Sequence, residues 1–286
     1  MDRVLLHLDT DPHPSVFDRV VAVDAGVQHL FSYGGVTPEN VMPLVHGCIF
    51  TRGPKDLHHT AVFVGGSDVA AGEAVLAAVR RHLLPAYGLS VSVMLDSNGA
   101  NTTAVAAVLA AAKHLDLGKC RSLVLGGTGP VGLRVARLLA RRGGHVRIGS
   151  RQIDRAEQAA ASIRKAVPGS AVEAVSVGSS SAEPLGDREL VIAAGAPGAM
   201  LLPRKVRDLA TGLKVLIDLN GVPPAGIEGV DAPDKAALKD GGLVCYGAIG
   251  VGGTKMKVHK AALAELFTRT DAVLDLDEID RLASRI

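Results

Sequence analysis

The run LVLGGTGPVGLRVARLL, residues 123–139, restricts the fold more than any other part of the chain. An apolar, β-branched stretch stops at a cluster of glycines, and an amphipathic helical pattern begins straight after it. Gly127, Gly129 and Gly132 satisfy G-x-G-x-x-G in the strand-to-helix setting that gives the motif its meaning. Gly127 permits the tight turn, Gly129 lets backbone approach a pyrophosphate, and Gly132 lets the helix lie close to the strand. The helix start presents free N–H groups and a partial positive charge. Together they make an anion grip of Gly127, Thr128, Gly129, Pro130, Val131 and Gly132.

The next strand, HVRIGS, ends at Ser150. An NAD site commonly has a carboxylate there for the ribose hydroxyls. This chain offers Ser150 and Arg151 instead, and no acid before Asp154. A hydroxyl and a forked guanidinium suit a 2′-phosphate, with Arg155 as a third contact. NADP is therefore the expected nucleotide, with NAD possible. AAGAPG ends a later strand with little bulk, so Ala194, Gly195 and Ala196 would let a dinucleotide pass. IDLNG places Asp218 and Asn220 at a strand-end rim, where a structural cap is an equal explanation. Gly247 and Ile249 belong to YGAIGVGG, small residues before a helix and suited to a flat nicotinamide.

Short apolar strands alternate with Ala/Leu-rich helices along the chain. VLLHLDT, TAVFVGG and VSVMLD are strands of a first series, with helices capped at Ser15, at Ser67 or Asp68, and at Asn101. RSLVLGG, HVRIGS, VEAVSV, LVIAAG, KVLIDL and GLVCYG form a second series. Such alternation predicts an α/β fold of parallel sheets covered on both faces. The LGKCR turn near Gly118 divides a first lobe, 1–118, from a Rossmann-type nucleotide domain, 119–250. A long helix from Gly250 and the amphipathic DLDEIDRLASRI, within 251–286, pack back on the first lobe. SVGSSSAEPLGD is a linker.

In the first lobe, DTDPHPSVFD and DSNGANTT each follow a strand, so both open on the same edge of a parallel sheet. Asp11, Asp18, Asp96, Asn98, Asn101, Thr102 and Thr103 form a candidate wall there, although turn and cap roles explain many of them. Lys255 and His259 are spaced to share a helix face, with Lys257 on another. Cations at a helix start are electrostatically awkward, which favours a functional reason for one of them.

Composition removes several classes. The net charge of +2 gives no basic face for nucleic acid. With 3% aromatic residues and no Trp there is little for a base-stacking platform. The longest apolar run, Ala104–Ala112, is about half of a bilayer span, so no membrane partner is expected. Cys48, Cys120 and Cys245 are far apart, and no secretory leader precedes them. Free thiols in the cytoplasm follow as the expectation. The histidines, His58 and His59 included, are not clustered for a metal, and none is expected.

DTDPHPSVFD, YGGVTPENV, IFTRG, FVGGSDVAAGE, MLDSNGANTTA, GTGPVGLR, DLNGVPPAGIEGVDAPDK and GAIGVGGTKMKVHK, in this order, resemble NADP-dependent methylene-tetrahydromethanopterin dehydrogenase of bacterial one-carbon metabolism. The resemblance spans almost the whole chain. It implies a Rossmann-type NADP domain and an N-terminal α/β pterin-binding domain completed by C-terminal helices, in a homo-oligomer. It implies reversible hydride transfer from methylene-tetrahydromethanopterin, or from its tetrahydrofolate analogue, to NADP. Carried over by position, Gly127, Gly129 and Gly132 bind pyrophosphate, and Ser150 and Arg151 the 2′-phosphate. Asp18, Asn98, Thr102 and Lys257 lie on the catalytic, pterin side. SRQIDR stands where related chains often have a G-R-K-like run, which bears on the choice between NADP and NAD.

The implied reaction suits a chain with no evident nucleophile or triad. Nitrogen lone pairs of the carrier expel the hydride, and the protein's task is to place two flat rings face to face. Carboxylates such as Asp18 or Asp96 would favour the cationic methenyl product. Two other readings stand beside this one. A shikimate dehydrogenase-type reductase would want a Lys–Asp pair in the first lobe, where Lys55 and Lys113 lack the strand-end setting. A non-catalytic NADPH-binding regulator would bind nucleotide without pterin.

Overall fold

The structure is a computed structural model that describes residues 1–178 and 181–286. Ser179 and Ser180, within the stretch read as a linker, lie outside the described residues. The chain forms two compact units, residues 1–102 with 256–286, and residues 103–255. These breaks differ from those expected at Gly118 and Gly250. Each falls inside a helix rather than in a turn, because a glycine-rich turn marks where one element stops and not where packing changes partner.

The first unit begins with β1 (Val4–Asp9), α1 (Val16–Asp24), β2 (His29–Tyr33), α2 (Met42–Ile49), β3 (Thr60–Gly65), α3 (Val69–His82) and β4 (Ser92–Leu95). The chain leaves it within α4 (Ala100–Ala112). The second unit continues with β5 (Arg121–Leu125), α5 (Pro130–Arg141), β6 (His145–Ser150), α6 (Ile153–Ala166), β7 (Val172–Ser176), β8 (Leu190–Ala193), α7 (Arg204–Arg207), β9 (Val215–Asp218), β10 (Lys235–Lys239) and β11 (Leu243–Tyr246). The return runs through α8 (Ala248–Glu265), and β12 (Val273–Leu274) and α9 (Leu276–Ala283) finish the first unit.

The two sheets, as described, run β12-β4-β3-β1-β2 and β10-β11-β9-β8-β5-β6-β7. Every pairing is parallel except β10 with β11. The central strands are buried along their whole length, which explains their unbroken apolar sequences. One core joins Leu6, Leu8, Val62, Val64 and Val93 to Val45 and Ile49 of α2 and to Val75 and Val79 of α3. The other joins Leu123, Leu125, Val191 and Leu216 to Leu202, Val206 and Ile227. No helix of the described residues is long and apolar enough to cross a membrane.

Ser15 and Asp68 cap their helices as expected, Ser15 accepting from the Asp18 N–H and Asp68 from those of Ala70 and Ala71. Asn101 does not cap α4. It lies in the first turn, and the Asp96 carboxylate accepts from the Asn101 and Thr102 N–H groups instead. The small-residue run YGAIGVGG does not precede a helix, because α8 begins at Ala248 and contains most of it. Lys255 and Lys257 therefore stand about two turns inside α8, and the electrostatic awkwardness expected at a helix start does not arise.

The three cysteines are free and buried. Burial pushes the Cys48 and Cys120 thiols up to about 12 and Cys245 up to about 11. An unfolded thiol titrates near 8.5, so the folded state holds these protons more tightly. The associated stability is complete below that value and is lost as pH rises through the folded values. Thiol titration at pH 8 is expected to find the three cysteines silent in the native protein and reactive in guanidinium. Rapid reaction of the native thiols would contradict their burial.

Candidate functional site

In the second unit, chain order reverses around β5: β6 lies on one side of it and β8 on the other. A ligand of an open α/β sheet sits at that reversal, beyond the carboxyl ends of the strands. The glycine turn leaves β5 there. Gly126 adopts φ +67°, and a Cβ on it would lie 2.7 Å from Gly195, so the two loops touch backbone to backbone. A Cβ on Gly127 would meet Val124 O at 2.9 Å, and one on Gly132 would meet Gly126 O at 2.4 Å. Gly129 differs: its nearest neighbours to such a Cβ are at 3.4 and 3.8 Å. Gly127 and Gly132 are thus needed for packing, whereas a Cβ on Gly129, at the cap of α5, would make only ordinary contacts. Thr128, Pro130 and Val131 complete the turn and the start of α5. This cradle fits a pyrophosphate.

The Gly127 N–H donates to Gly149 O at 3.3 Å, which fixes the end of β6 beside the turn. Ser150 and Arg151 follow at once. Ser150 Oγ accepts from the Gln152 N–H at 3.2 Å. Arg151 and Arg155 are exposed, and no hydrogen bond or ion pair among the described residues engages either side chain. Arg147, farther back on β6, is different, being held by Glu173 and by Pro184 O. The Ala194 N–H donates to Leu125 O, so Ala194, Gly195 and Ala196 run beside the glycine turn.

Asp218 and Asn220 turn out to fasten this rim. Asp218 is buried and accepts from the Asn220 and Ile227 N–H groups at 3.0 Å each, and burial raises its pKa against those bonds. Asn220 Oδ1 accepts from Val222 N–H and Gly198 N–H, while Nδ2 donates to Pro224 O. Gly247 is pressed against other backbone, since a Cβ there would lie 2.0 Å from Asp231 O. Ile249 points outward and is 68% exposed.

In the first unit, the carboxyl ends of β1, β3 and β4 bring together Asp9–Asp11, Gly65–Ser67 and Asp96–Gly99. Asp96 is 1% exposed and accepts from the Thr102 hydroxyl at 2.6 Å as well as from the two α4 amides. Thr102 is thus a buried partner of Asp96. Asn98 is exposed at φ 55°, a turn residue whose N–H donates to Gly66 O. Asp18 is half-buried in the first turn of α1.

Sequence reading did not find the ring cluster behind this edge. His259 is fully buried, with Nδ1 3.8 Å from Asp96 Oδ2. Its ring stacks on Phe63 at 5.6 Å and lies 6.5 Å from Phe17, while His7 tilts against Phe63 at 5.3 Å. Lys257, expected on the pterin side, is exposed and faces away from the side of α8 that buries His259. Lys255, one turn before His259, is half-buried and shares its face. An ionisable residue inside an otherwise apolar strand, as in VLLHLD, was the available signal for His7.

Residues 16–98 match the family model described as methylene-tetrahydromethanopterin dehydrogenase, N-terminal. The bifunctional protein MdtA of Methylorubrum extorquens is 44% identical over 288 residues, covering 99% of both chains. The NAD(P)-dependent methylenetetrahydromethanopterin dehydrogenase of the same organism is 30% identical, covering 100% of this chain and 99% of that one. This chain belongs to the methylene-tetrahydromethanopterin dehydrogenase family. Members are oxidoreductases, and the two-lobe α/β layout has solved counterparts. The 5-ketofructose reductase of Gluconobacter sp. strain CHM43 aligns over 100% of this chain and 99% of its own, with a TM-score of 0.51 at 17% identity. The ornithine carbamoyltransferase of Pyrococcus furiosus aligns over 92% and 84%, with a TM-score of 0.58 at 12% identity. At such identities the likeness is one of fold alone, which a transferase can share with a dehydrogenase.

Proposed function

We propose that this protein transfers a hydride reversibly from methylene-tetrahydromethanopterin to NADP, giving the methenyl carrier, as a homo-oligomer in the cytoplasm. The observation that carries the reading is the Gly126–Gly132 cradle with Arg151 beside it, exposed and unengaged by other described residues, in a chain whose full length matches this family. NADP, when bound, supplies the hydride acceptor. Gly129 and the start of α5 hold its pyrophosphate, Ser150, Arg151 and Arg155 hold the 2′-phosphate, and the backbone of Ala194–Ala196 flanks it.

The carrier lies against the Asp18, Asn98 and Phe17 edge, with Thr102 and His259 behind it. Asp96 already accepts from three donors. Asp18, in the first turn of α1, is the carboxylate assigned to favour the cationic product. No protein base is needed, since the carrier's own nitrogens expel the hydride. Orientation and exclusion of water are the chain's contribution.

The test supplies the methylene form of tetrahydromethanopterin, and separately of tetrahydrofolate, and follows nicotinamide absorbance with NADP and with NAD. Reduction of NADP by the methanopterin substrate is expected. Reduction only with the folate analogue would reassign the carrier. Nucleotide binding with no reduction from either carrier would leave a non-catalytic binder.

A further inference from the structure

Asp9, the last residue of β1, is completely buried. Its Oδ1 accepts from the Asp11 N–H and its Oδ2 from the Ser15 N–H, both at 2.9 Å. The loop 10–15 therefore hangs from one carboxylate. Ser15 passes the constraint to α1 by accepting from the Asp18 N–H at 3.2 Å. Asp11 extends it to the turn after β3, accepting from Ser67 N–H and Oγ–H at 2.9 and 2.8 Å. The residues that lead to Phe17 and Asp18 are thus tied to the end of β1 through the Asp9 carboxylate, with the Gly35 N–H donating to Asp11 O as a further hold.

His7 lies against that carboxylate. It stands two residues before Asp9 on the same side of β1, 1% exposed, with Nε2 3.2 Å from Asp9 Oδ2. Gly65 leaves the space for this approach, since a Cβ on it would lie 2.9 Å from His7 Nε2. Burial lowers the His7 pKa; Asp9 opposes this and Arg19 adds to it. Neither ring nitrogen makes a hydrogen bond among the described residues, so the ring bears on Asp9 through the 3.2 Å approach of Nε2 to Oδ2. Leucine would suit this place in an apolar strand without leaving an unpaired acceptor. The value of the imidazole therefore lies in the polar contact of Nε2 with Asp9 and in its contact with Phe63, on which His259 stacks.

We propose that His7 is a positioning residue of the carrier site, acting through Asp9 on the loop that leads into α1. This rests on the carrier edge assigned above. In full-length protein, His7→Leu is expected to raise the carrier KM or lower kcat by at least about tenfold, with the KM for NADP unmoved. His7→Gln, whose amide nitrogen reaches the place of Nε2, is expected to recover activity to within about threefold. His7→Asn, which is too short to reach, is expected to behave as the leucine variant does. Native-state hydrogen exchange at the Asp11 and Ser15 amides is expected to quicken about tenfold in His7→Leu and to return in His7→Gln. Unchanged exchange and kinetics in His7→Leu, or failure of glutamine where asparagine succeeds, overturns the proposal. Wild-type protein that reduces NADP with neither carrier removes the functional reading instead, and the exchange measurement still decides the role of His7.

Discussion

Replacing Arg151 by alanine is expected to weaken NADP binding by roughly 30- to 100-fold while leaving NAD within about twofold. The size follows from losing a charge-assisted, forked contact of about 2–3 kcal/mol, at about 1.4 kcal/mol per tenfold. The selectivity follows from position. Arg151 stands immediately after β6, whose end is fastened to the glycine turn through Gly127 and Gly149, and no described residue competes for its guanidinium. Arg151→Glu is expected to reverse the preference, because a carboxylate repels a 2′-phosphate and accepts from ribose hydroxyls. Ratios of kcat/KM for the two nucleotides measure both effects. An equal loss for NADP and NAD would show that the residue supports the loop and does not read the phosphate.

Gly132→Val is expected to be the most damaging single change in the nucleotide unit. A Cβ at this position would lie 2.4 Å from Gly126 O and 2.8 Å from Gly127 Cα, and both are backbone atoms with no rotamer to yield. The helix must move off the strand, at about 3 kcal/mol or more, and the N–H groups aimed at the pyrophosphate move with it. Loss of detectable NADP binding together with a lower Tm is the expected result. Gly129→Ala serves as the contrast. Its added carbon meets no described atom closer than 3.4 Å, so stability is expected to hold while nucleotide affinity falls. If Gly129→Ala lowers stability as much as Gly132→Val, the division of roles between the glycines is wrong.

The nucleotide side was largely legible in the sequence because its elements are local. A strand, a glycine turn and a helix occupy consecutive residues, and Arg151 follows the very next strand. The carrier side was legible in its loops and not in its depth. Asp18 and Asn98 announce themselves beside turn residues, whereas His7, Phe63 and His259 lie far apart in sequence and meet only when β1, β3 and α8 pack. Spacing alone puts Lys255 and His259 on one face of α8 and Lys257 on another, and Lys257 is assigned to the pterin side by family resemblance and not by that spacing. Of the strands, β2 is short and exposed on alternate residues, and β12 is two residues long. β10 is written in helix-favouring Lys, Ala and Leu, so pairing with β11 overrides its local preference.

The place of β12 has a consequence for synthesis. The second unit is one continuous segment, 103–255, while the first draws on residues 256–286 as well. Val273 and Leu274 complete the parallel sheet beside β4, and Ser92 Oγ donates to Arg269 O and accepts from the Ala272 N–H. On the ribosome, the nucleotide-gripping module has all its strands in hand while its amino-terminal neighbour, translated earlier, still lacks an edge. The part made first is finished last, and until then its β4 flank is an open template that a chaperone or a neighbouring nascent chain can reach.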